Sequence, residues 1–131
     1  MVPALALSPV TTSAGILAAF AVKHYVADFL LQTGWMARGK DRPEGWLGPL
    51  LAHIACHAAL TLGLALALAP HLWWLALVDA ALHFGIDRGK SLLSRSSGWQ
   101  PAQCQFWWLL GFDQLLHQLT NIGITTALLL L

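Results

Sequence analysis

The chain has 131 residues, 57% of them hydrophobic and only 10% charged, with a formal net charge of +1 and a mean hydropathy of +0.63. That excess of apolar residues goes beyond what a water-soluble core of this size requires, and a near-neutral charge gives nucleic acid nothing to hold. The composition predicts an all-α integral membrane protein, a single domain over residues 1–131 built as an up-down-up-down four-helix bundle.

About 20 mostly apolar residues cross a bilayer as a helix, and four such spans can be drawn in order. Met1–Val10 has no basic residue and two prolines interrupt its short apolar run, so no cleaved signal peptide is expected. Span one covers residues 12–36. The segment after it, Met36 to Pro49, carries Arg38, Lys40, Asp41, Arg42, Pro43, Glu44 and three glycines, and reads as a loop. Span two covers 49–69, opening on Pro49, where a missing N–H costs nothing. Pro70 and His71 make a tight turn into span three, 72–94. A polar connection rich in serine leads to span four, 102–131. Cys56 lies within a span and Cys104 at the far end of another, so no structural disulfide is expected.

Six of the seven Lys and Arg residues flank two connections: Arg38, Lys40 and Arg42 after span one, Arg88, Lys90 and Arg95 at the end of span three. The positive-inside rule therefore puts both basic connections in the cytoplasm and both termini outside, as in a multi-pass membrane protein. Trp35, Trp46, Trp99, Trp107 and Trp108 fall toward the basic side, and Trp73 and Trp74 toward the other, as an interfacial belt. Gly63, Gly85, Gly111 and Gly123 are expected to let helices approach closely.

Within the spans sit residues that a hydrocarbon environment disfavours. His24 and Asp28, His53 and His57, His83 and Asp87, and Asp113 and His117 are four pairs, each separated by four residues and so each on one helix face. Isolated ionisable side chains in a membrane helix cost roughly 2.5–3.5 kcal/mol, and are kept where they pair, line water or bind something. With alternating chain direction the pairs fall at one depth, in two layers about 6 Å apart at a rise of 1.5 Å per residue. His24, His57, His83 and His117 form the deeper layer, and Asp28, His53, Asp87 and Asp113 the one nearer the cytoplasm. Thr61, Asp79 and Asn121 map one turn deeper, with Asp79 within reach of Lys23.

Imidazole and carboxylate converging from four helices is how dimetal sites are built in helical bundles. The types suit two divalent ions, zinc, iron or manganese, and the absence of a nearby paired cysteine set argues against a thiolate site. A purely structural or proton-conducting hydrogen-bond network is the bland alternative. Haem would need only two axial ligands and an apolar slot, which leaves three aspartates without a purpose. Toward the cytoplasm Gln32, Lys40, Arg88, Lys90 and Gln114 form a mouth suited to an anionic headgroup or phosphate, or, more plainly, snorkelling interfacial residues.

The combination of His24, Asp28, Leu31, Gln32 and Lys40, then His53 and His57, then His83, Asp87 and Lys90, then Asp113, Gln114 and His117 resembles the bacterial membrane family catalogued as domain of unknown function 3307. That resemblance implies a prokaryotic inner-membrane protein and supplies no reaction. From the residues, the leading expectation is a metal-dependent hydrolase of a phosphorylated or lipid-linked substrate, with Asp87 or Asp113 taking a proton and Lys40 and Lys90 holding the anionic end. A di-iron oxidase or hydroxylase, a divalent-metal or proton translocator, and a non-catalytic membrane subunit stay open, as does assembly into a homo-oligomer.

Overall fold

A computed structural model describes residues 8–131. The reading of Met1–Val10 as something other than a cleaved leader falls mostly outside the described residues. The chain folds into five α-helices: α1 (Pro9–Tyr25), α2 (Gly34–Gly39), α3 (Leu47–Leu68), α4 (Leu75–Ser97) and α5 (Cys104–Leu130), with no strand among the described residues. Cys56 and Cys104 are free thiols.

α1 begins where Ser8 caps it, its hydroxyl accepting from the Thr11 amide, with Pro9 in the first turn. It does not continue to residue 36. The helix widens into a π-turn over Val26–Leu31, the chain becomes extended at Gln32, and Thr33 caps the short α2 by accepting from the Met36 amide. The basic connection therefore contains a helix that the loop reading missed. α3 starts at Leu47, two residues before Pro49, which still lies in the first turn where its absent N–H is harmless. A 3₁₀ turn over Pro70–Leu72 reverses the chain into α4, and His71 Nε2 lies 3.4 Å from the Leu131 carbonyl oxygen, tying that turn to the end of α5. α4 ends on Gly98, whose φ of 65° is the left-handed conformation that closes a helix at low cost, and its N–H bonds the Ser94 carbonyl.

α1 packs on α3 and α5, and α4 on α3 and α5, so the four long helices close a ring. Each turns inward a stripe of residues spaced by four: Asp79, His83, Asp87 and Ser91 on α4; His53, His57, Thr61 and Ala65 on α3; Asp113, His117, Asn121 and Thr125 on α5. The stripes stack the interior into layers. Ile16, Phe20, Ala69, Leu72, Leu75 and Ile124 form an apolar floor. Above it Lys23 Nζ donates to Asp79 Oδ2 at 2.8 Å, and Thr61 Oγ1 donates to the same oxygen at 2.5 Å, with all three side chains buried. The histidines and aspartates come next.

Large apolar side chains are exposed on the outside of every long helix, among them Val22, Leu51, Leu66, Leu77, Leu82, Leu115 and Leu119. Pro9–Leu31 and Leu47–Leu68 are long and apolar enough to cross a membrane. α4 and α5 have the length, but polar residues such as Asp79, Asp87, Arg88 and Lys90, or Asp113, Gln114 and Asn121, dilute their hydropathy.

The glycines correct one expectation. A Cβ placed on Gly63, Gly85, Gly111 or Gly123 would meet nothing within 4 Å, so none of them marks a close helix approach. That role belongs to Gly39, where a Cβ would lie 2.4 Å from the Pro49 ring. Only glycine there lets α2 lie against the start of α3.

Candidate metal centre

All eight residues singled out in the four pairs converge inside the ring of helices. The deeper histidines form a closed circuit: ring centroids are 5.4 Å apart for His24 and His57, 3.9 Å for His57 and His83, 4.2 Å for His83 and His117, and 5.3 Å for His117 and His24. His53 covers this circuit from the aspartate side, 4.8 Å from His57 and 5.1 Å from His83.

Every one of the five imidazoles directs Nε2 toward the centre. Asp28 Oδ1 lies 2.9 Å from His57 Nε2 and 3.4 Å from His53 Nε2, while its Oδ2 lies 3.0 Å from His24 Nε2. Asp87 Oδ1 lies 3.1 Å from His117 Nε2 and 3.7 Å from His83 Nε2. The Nε2 atoms of His53 and His83 face each other at 3.3 Å. Two ligand groups result, Asp28 with His53, His57 and His83, and His83 with Asp87 and His117, the donor atoms of each lying within 4.8 Å of one another. His83 belongs to both. A single imidazole nitrogen serves one ion, so of two ions only one would take His83, and assigning it to Asp87 and His117 leaves three ligands for each.

The residues fit a divalent ion in their chemistry. Neutral imidazoles and carboxylates are the donors such ions take, and Asp113, only 6% exposed, keeps its Oδ1 buried with no hydrogen-bond partner. One feature departs from the usual pattern, in which the second ring nitrogen of a ligating histidine donates to a carboxylate or carbonyl. The Nδ1 atoms of His53 and His57 are buried without a partner, and their rings are held by packing against the other imidazoles. His24 and Asp113 stand outside both ligand groups. Gln114 links them, its Oε1 3.2 Å from His24 Nε2 and its Nε2 donating to Asp113 Oδ2 at 3.1 Å.

The expected mouth residues separate into two sets. Gln32, Lys40, Lys90 and Gln114 line a cavity of about 220 Å³ with Asp28, Asp41 and Asp113. Within it Lys40 Nζ donates to Asp87 Oδ2 at 2.8 Å, Lys90 lies 3.6 Å from Asp41, and Gln32 Nε2 donates to the Asp28 carbonyl at 3.1 Å. Arg88 is not in this set. One residue beyond Asp87, it is turned about 100° away from the site, and its guanidinium carbon lies 3.7 Å from the centre of the Trp46 ring. Arg88→Met is expected to leave metal content within twofold of the wild type while lowering stability by about 1 kcal/mol, the scale of a cation–π contact. Elemental analysis and denaturation of the same sample check both halves.

The Lys40–Asp87 pair is the contact that sequence reasoning missed. The sequence puts Lys40 in a loop toward the mouth, whereas the break at Gln32 and the seating of Gly39 on Pro49 bring it to α4. The π-turn is a second omission. It contains Asp28, and π-turns within α-helices are frequent at functional sites.

The model of a family described as a protein of unknown function (DUF3307) matches residues 16–130. No curated protein and no solved structure matches the chain.

Proposed function

The chain belongs to the DUF3307 family, a name that carries no reaction, and we propose from the site itself that it is a multi-pass inner-membrane hydrolase using two divalent ions on a phosphorylated or lipid-linked substrate. The observation that carries this reading is the convergence of five Nε2 atoms and three carboxylates beneath a polar cavity bearing Lys40 and Lys90. A four-span arrangement is supported by the apolar exterior of α4 and α5, where Leu77, Leu82, Leu92, Leu93, Phe112, Leu115, Leu119 and Ile122 are exposed although the interior is polar. The cytoplasmic placement of the mouth follows from the Lys and Arg bias of the two basic connections.

Divalent ions held by Asp28, His53, His57, His83, Asp87 and His117 would supply Lewis acidity for water activation and charge stabilisation. The protein's own groups then have distinct tasks. Asp87 has both oxygens engaged, by His117 and by Lys40, which suits a ligand. Asp113 lines the cavity, and its Oδ1, 3.6 Å from His117 Nε2 and in no closer contact, makes it the better proton acceptor. Gln114 fixes its other oxygen. Lys90 and Lys40 offer charge to an anionic group at the mouth.

A translocator is the competing reading, favoured by the polar column that descends from Lys40 to Lys23. The apolar floor of Phe20, Leu72, Leu75 and Ile124 beneath that column opposes it, because it closes the column on that side among the described residues.

The test is hydrolysis of a panel of phosphoesters, soluble and lipid-linked, by detergent-purified protein loaded in turn with zinc, manganese and iron(II). Asp113→Asn is expected to lower kcat by about 10²–10⁴-fold, the usual contribution of a general base, and to keep most of its metal, since Asp113 lies outside both ligand groups. No turnover of any panel member by the loaded wild type, or full activity in Asp113→Asn, would refute the hydrolase. Oxygen-dependent turnover with iron alone would replace it with an oxidase.

A further inference from the structure

The face between α4 and α5 is grooved along most of its length. A cavity of about 540 Å³ runs between Val78, Leu82 and Ile86 of α4 and Leu116, Leu119 and Gly123 of α5. Ile86 and Leu116 also line a second cavity of about 170 Å³, which continues past Gly85 and Gly89 and ends against Lys90 and Asp113. Those two residues line the polar mouth as well. A single path therefore leads along the apolar outside of the protein to the edge of the proposed metal centre.

Two features of this path point to what would fill it. Three glycines line it, and a Cβ at Gly85, Gly89 or Gly123 would project into open space, so larger side chains there would narrow it. Its inner end is Lys90, whose ammonium lies 3.6 Å from the partly exposed carboxylate of Asp41. An occupant with a hydrocarbon chain and an anionic head matches both, the chain lying against leucine and isoleucine and the head meeting the ammonium. From Leu75 to Lys90 the path covers about 22 Å at 1.5 Å per residue, more than half of a hydrocarbon core roughly 30 Å thick.

We infer that the α4–α5 groove binds the single long alkyl or isoprenoid chain of a lipid phosphate, and delivers its head laterally to Lys90 and the metal centre past Gly85 and Gly89. This deepens the hydrolase reading by naming the substrate class, and it rests on that reading for the anionic head.

The experiment is photo-crosslinking of the full chain in detergent with a single-chain lipid monophosphate carrying a mid-chain diazirine, mapped by mass spectrometry. Labels are expected on Val78, Leu82 and Leu119, competed by unlabelled lipid phosphate and not by the phosphocholine analogue. Gly85→Leu and Gly89→Leu should each reduce labelling at least tenfold with metal content unchanged. Gly85→Ala, which suits a helix and leaves the groove open, should label like the wild type and controls for folding. Labelling that survives both leucine variants, or that spreads evenly over Val22, Leu51 and Leu66, would overturn the proposal. So would a shift from dimer to monomer in the leucine variants, which would make the groove a contact between copies of the chain. Cross-linking needs no turnover, so a protein that labels in the groove and hydrolyses nothing keeps the binding site and loses the hydrolase.

Discussion

His83→Ala is expected to bring metal content to background, whereas His57→Ala and His117→Ala each remove about one ion of two. The asymmetry follows from geometry: His83 is the one residue common to both ligand groups, and its ring packs between His57 at 3.9 Å and His117 at 4.2 Å. Alanine there removes a donor from one ion and, for both, the ring that holds His57 and His117 in place. Loss of an orienting support alone costs 10–100-fold in metal affinity, so losing a donor from one ion and the support of the other should deplete both. Elemental analysis of detergent-purified variants, grown with and without added zinc or manganese, gives the direct reading. A chelator should lower the Tm of the wild type and leave that of His83→Ala where it is, because binding energy in such sites is folding energy. Wild-type metal content in His83→Ala would mean that the two groups are not the site.

The largest effect on stability is expected one layer down. Lys23→Met leaves the Asp79 carboxylate buried with only the Thr61 hydroxyl against it, and removing one partner of a buried ion pair costs about 3–5 kcal/mol. Asp79→Leu should cost a similar amount by stranding the ammonium. Replacing all three groups, as Lys23→Met, Asp79→Leu and Thr61→Val together, should recover most of the loss, since apolar replacements of a buried pair are often neutral or stabilising. Denaturation in a fixed detergent separates these cases, and metal content should not change in any of them. If the triple variant is as unstable as either single one, the layer has a role beyond holding the helices together.

The candidate centre was legible because its signal is short-range. A pair separated by four residues stays on one face of any helix, and four such pairs in chains of alternating direction are brought to one depth by topology alone. The Lys23–Asp79 contact could be anticipated from the same depth argument. What the sequence did not disclose depends on departures from regular helix. The π-turn at Val26–Leu31, the break at Gln32 and the packing of Gly39 on Pro49 decide where Lys40 ends up, and no periodicity encodes them. Arg88 looked like a mouth residue because charge and position suggested it, whereas its direction depends on one residue's rotation about α4 and on Trp46 being there to receive it. The glycines misled in the opposite sense, since small residues signal both close approach and open space, and only the neighbouring backbone tells which.

The ion pair between Lys40 and Asp87 has a consequence for electroneutrality. With the imidazoles neutral, as metal ligation requires, three carboxylates facing one ammonium leave the chamber with two negative charges in excess, which a single divalent ion would cancel. A second divalent ion would tip the same chamber to two positive charges, and a low-dielectric surround makes that excess costly unless an anion enters or the lysine withdraws. A phosphate monoester near pH 7 carries between one and a half and two negative charges. Occupancy by the second ion and by a phosphorylated substrate would therefore rise together, each lowering the electrostatic cost of the other, with Lys40 setting the balance point.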